Sequence, residues 1–301
     1  MNIHDVDLRH LKVFAAIVEC EGLSAAETRL NIGRSAISTH LADLEIRLGV
    51  TLCTRGRKGF KLTEQGKVVY QATRSLFQQC EVFVSTIADS KSKLTGSITI
   101  SMIDMTINDE RCCISQAISK LKSRGGHVHI EVKISAPDEV ELAVLNGQST
   151  IGIGISRHPL RGLSYEPLYN EMTYLYCGID HPLFHAKSHK LNKLLKESEF
   201  VSRGYMRGPD PFGADLPCKK TATAYHEESI AHLILSGQYI GYLPEQFAQI
   251  WINKKTMKAI LPNRYCYKTP VVLITPKSNA LPVLVSTLIK DIQSAHNEIK
   301  K

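Results

Sequence analysis

Arg34, Ser35, Ser38 and Thr39 are hydrogen-bonding side chains at spacings that gather on one side of a helix. An arginine can pair bidentately with the guanine edge in the major groove of B-DNA, and slim hydroxyl residues can approach the neighbouring bases. A second group follows closely. Arg55, Arg57, Lys58 and Lys61 put four positive charges within seven positions, with no acid among them. Cations so crowded suit a phosphate backbone, where neutralising charge releases counterions and gives affinity without sequence preference. Together the two groups predict hydrogen bonds to bases beside ion pairs to phosphates.

Such residues need a helix-turn-helix and a hairpin to position them, and the flanking sequence predicts both. Ser24 followed three residues later by Glu27 has capping-box spacing, which predicts a helix over residues 24–30 with Ala25 and Ala26 on its inner face. Asn31-Ile32-Gly33 predicts a left-handed stop. The next helix opens at Arg34 or Ser35 and buries Ile37, Leu41, Leu44 and Leu48 as one stripe, leaving Arg34, Ser35, Ser38, Thr39 and Ala42 outward. After Gly49, residues 50–53 and 60–62 are expected to pair as strands around a cationic turn over residues 55–59.

These residues carry a resemblance. From DLRHLKVFAAIVECEGLSAAETRLNI through SAISTHLADLEIRLGVTL to LTEQG, residues 7–66 resemble the DNA-binding domain of LysR-type transcriptional regulators. The resemblance implies a winged helix-turn-helix on double-stranded DNA, with Ser24, Arg34, Ser35, Ser38, Thr39, Arg55, Arg57 and Lys58 at the interface. It departs from the usual pattern at Arg34 and Ser35, where Gln and Pro or Ser are common, at His40 for Gln, and at Cys53 for Phe. The operator is therefore not carried over from other members.

A chain of 301 residues with 43% hydrophobic content has length for two or three cores, and its net charge of +8 suits a polyanion partner. Residues 1–66 hold nine Lys and Arg against eight Asp and Glu, so the wing is a local patch rather than part of a basic domain. Eight cysteines without a regular framework, no apolar leader and no stretch approaching a membrane span predict a cytoplasmic protein with free thiols and no membrane partner.

Residues 64–92 lack Pro, and Val69, Ala72, Leu76, Cys80, Phe83 and Ile87 recur at steps of three and four, which predicts one long amphipathic helix. It either lies on its own domain or pairs with a second subunit, and pairing is the more economical. LysR-type regulators are similar in using such a helix to dimerise, which implies a homodimer or homotetramer presenting two reading heads.

Beyond residue 93 strands and helices alternate, predicting a parallel sheet with ligands at the carboxyl ends of its strands. Strands are expected over residues 98–101, 127–134, 151–155, 172–177, 200–202, 240–243 and 271–275, and helices over 113–123, 138–145, 229–235 and 281–296. The segments GQYIGYLP at 237–244 and His181-Pro182-Leu183 resemble elements of the same family's effector domain. The resemblance implies an α/β fold of two lobes, as in periplasmic binding proteins, with a small-molecule cleft between them. The organisation expected is a winged helix-turn-helix over 1–63, a linker helix over 64–92 and an effector domain over 93–301. Lobe I takes 93–164 and 268–301, and lobe II takes 165–267. By topology the cleft is offered Ser101, Asp104 and Thr106, with Ser135 and Ser156, from one lobe, and Ser202, Arg203, Tyr205 and Tyr225 from the other. An acid facing an arginine suits a zwitterionic effector.

Other chemistries fit less well. Cys112-Cys113 with Cys218 is poor disulfide geometry, which weighs against a thiol redox sensor. His181, His185 and His189 recur at steps of four, but Pro182 interrupts them, so no metal site is expected. There is no Gly-x-Ser-x-Gly elbow, no catalysis is expected, and no cofactor is called for. The remaining alternative is a small-molecule-binding protein of the same fold without DNA binding.

Overall fold

The N-terminal region builds a small helical core from helices α1 (Asp5–Glu19), α2 (Leu23–Leu30) and α3 (Arg34–Leu48), followed by strands β1 (Cys53–Gly56) and β2 (Gly59–Leu62) and helix α4 (Glu64–Asp89). The computed structural model describes residues 5–56, 59–89, 94–156, 159–205, 216–277 and 281–299. It divides into two units, Met1–Val84 and Ser85–Lys301.

In the first unit Phe14, Ile17, Ala26, Ile37, Leu41, Leu44 and Leu52 fill the core, as the stripe on α3 predicts. Leu48 is only partly buried. The expected capping box is not formed. Helix α2 opens one residue early behind Gly22 with no side-chain cap, and Glu27 instead accepts a hydrogen bond of 2.5 Å from the backbone N–H of Arg34. There the carboxylate serves an unsatisfied donor and the positive end of α3. Ala25 is exposed and only Ala26 is buried, so the inner face is narrower than expected. Asn31 alone supplies the left-handed stop, while Gly33 is the extended N-cap of α3.

The wing is displaced from its expected register. Glu45 Oε1 accepts hydrogen bonds from the backbone N–H groups of Leu52 (2.7 Å) and Cys53 (3.4 Å), which ties that segment to α3. Pairing therefore begins at Cys53↔Leu62 and runs to Gly56↔Gly59, instead of using residues 50–53 as the apolar pattern predicts. Arg55 thus lies in a strand rather than a turn, and Arg57 and Lys58 fall outside the described residues.

Thr63 Oγ1 accepts from the backbone N–H of Gly66 at 2.9 Å and starts α4. A Cβ at position 66 would come within 1.9 Å of the Leu52 carbonyl oxygen, so only glycine lets this helix sit against the wing. Along α4, Val69, Tyr70, Leu76 and Phe77 pack on the N-terminal core. Glu19 holds Arg74 (2.7 Å) and Arg29 (2.6 Å) and accepts from Tyr70 (3.3 Å), fastening α4 and α2 to α1.

The second unit is built on one mixed sheet. Its strands are β3 (Thr95–Met102), β4 (His127–Ile134), β5 (Ile151–Ile155), β6 (Leu163–Gly178), β7 (Glu199–Arg203), β8 (Lys219–Ala224), β9 (Tyr239–Pro244), β10 (Met257–Ala259) and β11 (Cys266–Pro276). They lie in the order β4-β3-β5-β11-β6-β9-β7-β8, with β10 on β6. The expectation of a parallel sheet holds for β3 with β4 and β5 and for β7 with β8 and β9. It fails where β6 and β11 run antiparallel to each other and to their outer neighbours, because these are the two long crossovers that join one lobe to the other. Their register shifts by one residue between Val271 and Val272.

Helices α5 (Ile114–Ser123) and α10 (Val283–Ile299) cover one face of the first lobe around Ile98, Ile100, Leu121 and Leu288. Helix α6 (Pro137–Leu145) covers the other through Val140 and Val144. In the second lobe α7 (Ser188–Glu197) packs Leu195 with Leu175, Phe200 and Ile240. Helices α8 (Glu227–Leu235) and α9 (Glu245–Asn253) pack Ile230, Ile234 and Ala248 against Tyr176 and Val201. Alternate residues of β6 thus serve opposite faces. The sequence pattern does not mark α7, α9, β8 or β10.

Candidate nucleic-acid interface and ligand cleft

Helix α3 turns Ile37, Leu41 and Leu44 into the core and leaves Arg34, Ser35, Thr39 and Ala42 exposed, with Ser38 at the margin. The Thr39 hydroxyl donates to the Ser35 carbonyl at 3.1 Å, so its methyl group and its acceptor lone pairs are what it offers a base. Ser24 is exposed in the first turn of α2. Lys61 is exposed on β2, beside the outward Thr54 of β1.

The residues expected in the helical seam separate into two sets. Val69 and Leu76 face the core of their own head, whereas Ala72, Cys80 and Phe83 are exposed, Phe83 at 66%. The side chain of Ile87 lies outside the described residues.

In the second unit the carboxyl ends of the strands converge on a narrow cleft. Asp104 follows β3, Ser135 follows β4, Arg203 ends β7, Tyr225 follows β8 and Pro244 ends β9. The ends of parallel strands are where such a fold leaves backbone groups and side chains open to a ligand. Of the expected residues, Asp104, Ser135, Arg203, Tyr205 and Tyr225 line it.

Four others do not. Ser101 is buried and bonded to Ser149 Oγ at 2.6 Å, and Thr106 is buried in a 3-10 turn. Ser202 donates to the Ala222 carbonyl at 3.0 Å within the sheet, and Ser156 stands beyond the lining after β5. For Ser101 and Ser202 strand alternation decides this: each stands one position before its strand's end and points away from the cleft.

Glu171, Thr173, His226 and Glu227 also line the cleft. Sequence reasoning misses them because Glu171 lies on a part of β6 with little apolar signal, and an acid at a helix start reads as ordinary dipole compensation. Glu227 Oε1 meets Arg203 Nη2 at 3.0 Å and accepts from Tyr205 at 2.9 Å. Its backbone N–H donates across the cleft to Asp104 Oδ2 at 3.1 Å, and His226 Nδ1 lies 3.8 Å from the same oxygen. Burial pushes the carboxyl of Glu227 up, with Arg203 opposing. The carboxyl of Glu171 is pushed up to about 7, first by burial and then by the charge of Glu227, against the pull of Arg203.

Burial raises Cys112, Cys113 and Cys218 above the usual range, which keeps them as thiols rather than nucleophilic thiolates. His181 is buried and accepts from the Leu183 N–H at 3.1 Å, while His185 packs on Phe184. No helix among the described residues is long and apolar enough to cross a membrane.

A slim polar helix above a hairpin, joined in one chain to a two-lobed α/β cleft, defines a ligand-responsive DNA-binding protein. Residues 8–67 match the model of the bacterial regulatory helix-turn-helix proteins of the lysR family, and residues 91–296 match the LysR substrate binding domain. The chain is 37% identical over 277 residues to the HTH-type transcriptional activator BauR of Pseudomonas aeruginosa, covering 91% of this chain and 90% of BauR. Its fold is similar to full-length LysG of Corynebacterium glutamicum with bound effector Arg, with TM-score 0.60, 16% identity and 99% of each chain covered. It is also similar to full-length CbnR complexed with its target DNA, with TM-score 0.64, 18% identity and coverage of 96% of this chain and 99% of that one. The chain belongs to the LysR family and is a DNA-binding transcriptional regulator with an effector-binding domain.

Proposed function

We propose that α3 reads the operator through Arg34, Ser35, Ser38 and Thr39, that Ser24 and the basic residues Arg55, Arg57 and Lys58 hold the phosphates, and that a small molecule in the cleft controls the response. The observation that carries this reading is the division of α3 into a fully buried apolar stripe and an exposed slim face beginning at Arg34. Its family and its likeness to a DNA-bound CbnR support the same assignment.

The effector sits between the lobes and is met by Asp104, Ser135, Arg203, Tyr205 and Tyr225; that LysG was solved with bound effector Arg supports a small molecule as the effector. Self-association uses the exposed Ala72, Cys80 and Phe83 of α4, together with Ile87 further along the same periodicity, so that two heads meet two half-sites. The working parts are a head over residues 1–63, a linker helix over 64–92 and an effector domain over 93–301, acting in the cytoplasm without catalysis.

Electrophoretic shifts on the region upstream of the gene, measured across a salt series, test the reading. The protein should bind with log affinity falling linearly in log salt. Arg57→Ala with Lys58→Ala should weaken all duplexes alike and flatten the slope by ~0.9 for each phosphate no longer neutralised. Binding that is absent, or insensitive to salt, would leave only a ligand-binding protein of this fold.

A further inference from the structure

The cleft has a charge imbalance. Among the described residues three carboxylates line it, those of Asp104, Glu171 and Glu227, against one guanidinium, that of Arg203. That guanidinium is already engaged, with Nη2 on Glu227 Oε1 at 3.0 Å and on the Tyr242 carbonyl at 3.3 Å. A ligand carboxylate would therefore have to displace Glu227 to reach Nη2. The opposite charge has a place prepared. Glu227, which lines the cleft, is 7% exposed, and its buried Oε2 has no hydrogen-bond partner among the described residues. Leaving a buried acceptor unpaired is costly, and a buried carboxylate oxygen most of all, unless a donor arrives.

Glu171 faces the same space from β6 with Thr173 beside it, and Asp104 reaches in from the other lobe. An ammonium group has three donors and no acceptor, which suits a cleft lined by three carboxylates. Resting on the reading of the cleft as the effector site, we infer that Glu171, Glu227 and Asp104 form a subsite for the primary ammonium group of the effector. The ligand is then cationic at this end, and any carboxylate it carries lies away from Arg203. This differs from a zwitterion held between an acid and the arginine. Such an ammonium also relieves the like-charge repulsion between Glu171 and Glu227, since a cation set among them favours the ionised form of both.

Isothermal titration calorimetry on the full-length protein with four probes of equal chain length tests this: butanoate, 1-aminobutane, 4-aminobutanoate and 1,4-diaminobutane. The three amines should bind and butanoate should not. Glu171→Gln and Asp104→Asn, which keep shape and the acceptor for the Glu227 N–H, should each weaken amine binding ~10-fold or more. Glu228→Gln, which removes an equal charge from the exposed side of α8, should leave it unchanged. A preference for 4-aminobutanoate identifies an amino acid as the source of the ammonium, and one for the diamine identifies a polyamine; both support the subsite. Butanoate binding as tightly as the amines, amine affinity unchanged in Glu171→Gln, or no amine bound at millimolar concentration each overturns it. The salt-dependent DNA binding of the same preparation judges the regulator reading separately, so the two failures are distinguishable.

Discussion

Glu171 titrates near neutrality because β6 carries it into a wall where burial withholds water and Glu227 adds like charge. Its folded pKa of about 7 lies above the ordinary value of 4.5, so the folded protein holds this proton more tightly than the unfolded chain does. The resulting stabilisation is full below about pH 4.5 and is lost as pH rises through about 7. Glu171→Gln, which cannot ionise, should match the parent near the lower value and exceed it by about 3 kcal/mol above the upper one. Chemical denaturation at the two pH values measures this, and equal stabilities at alkaline pH would mean that Glu171 ionises like a surface residue. At the other site, Arg34→Ala should cost about 1 to 3 kcal/mol on the preferred operator and much less on random DNA. Equal losses on both would make Arg34 a backbone contact. Thr39→Ala removes only a methyl group and an acceptor, because the hydroxyl proton is directed to Ser35, so its effect should be the smaller.

At the scale of elements, α4 serves two masters along one length. Its turns bearing Val69, Leu76 and Phe77 belong to the core of the head, and the exposed apolar side chain of Phe83 lies beyond them. The two halves make opposite expectations. Leu76→Glu puts a charge against the head's own core and should lower its melting temperature, since an unpaired charge in an apolar setting costs several kcal/mol. Phe83→Glu should leave melting nearly unchanged and shift the protein toward monomer in analytical ultracentrifugation. An unchanged oligomer in Phe83→Glu would place the self-association surface elsewhere. The periodicity of residues 69–87 shows a helix correctly but cannot say which neighbour each turn meets, because steps of three and four look the same against a head or a partner. The wing shows the same limit. Its strands are legible from pattern, yet their register depends on Glu45, a residue on another element reaching the N–H groups of Leu52 and Cys53.

Over the whole molecule, the α3 stripe and the strand cores 127–134 and 151–155 are legible because they are local signals, whereas the two-lobed class follows from the resemblance carried by residues 181–183 and 237–244. What stays hidden are the parts whose meaning is set at long range. Residues 163–171 of β6 alternate without a strong apolar run, since each pairs with β11 roughly a hundred positions away, as Tyr165 does with Ile274. Glu171 is hidden with them. Glu227 is missed for a related reason: its partners Arg203 and Tyr205 come from β7 and the turn after it, and the donor it offers goes to Asp104 in the other lobe.

The two crossovers carry a mechanical consequence. Because β6 and β11 are hydrogen-bonded to each other from Cys266↔Tyr174 to Pro276↔Leu163, the lobes are joined by a ribbon rather than by two loose strings. A ribbon resists stretching and sliding but bends and twists easily where its ladder is broken, and here the break falls between Val271 and Val272. Opening of the cleft is expected as a flexing of that ribbon beside the bulge, with β11 keeping its pairing to β5 through Ile155 and Gly154. Ligand binding should slow amide exchange next to Val271 and Val272 while leaving the amides of Ile98 and Ile100 in β3 unchanged. A uniform slowing across both lobes would mean that the ligand tightens the whole domain, and that the ribbon does not act as its spring.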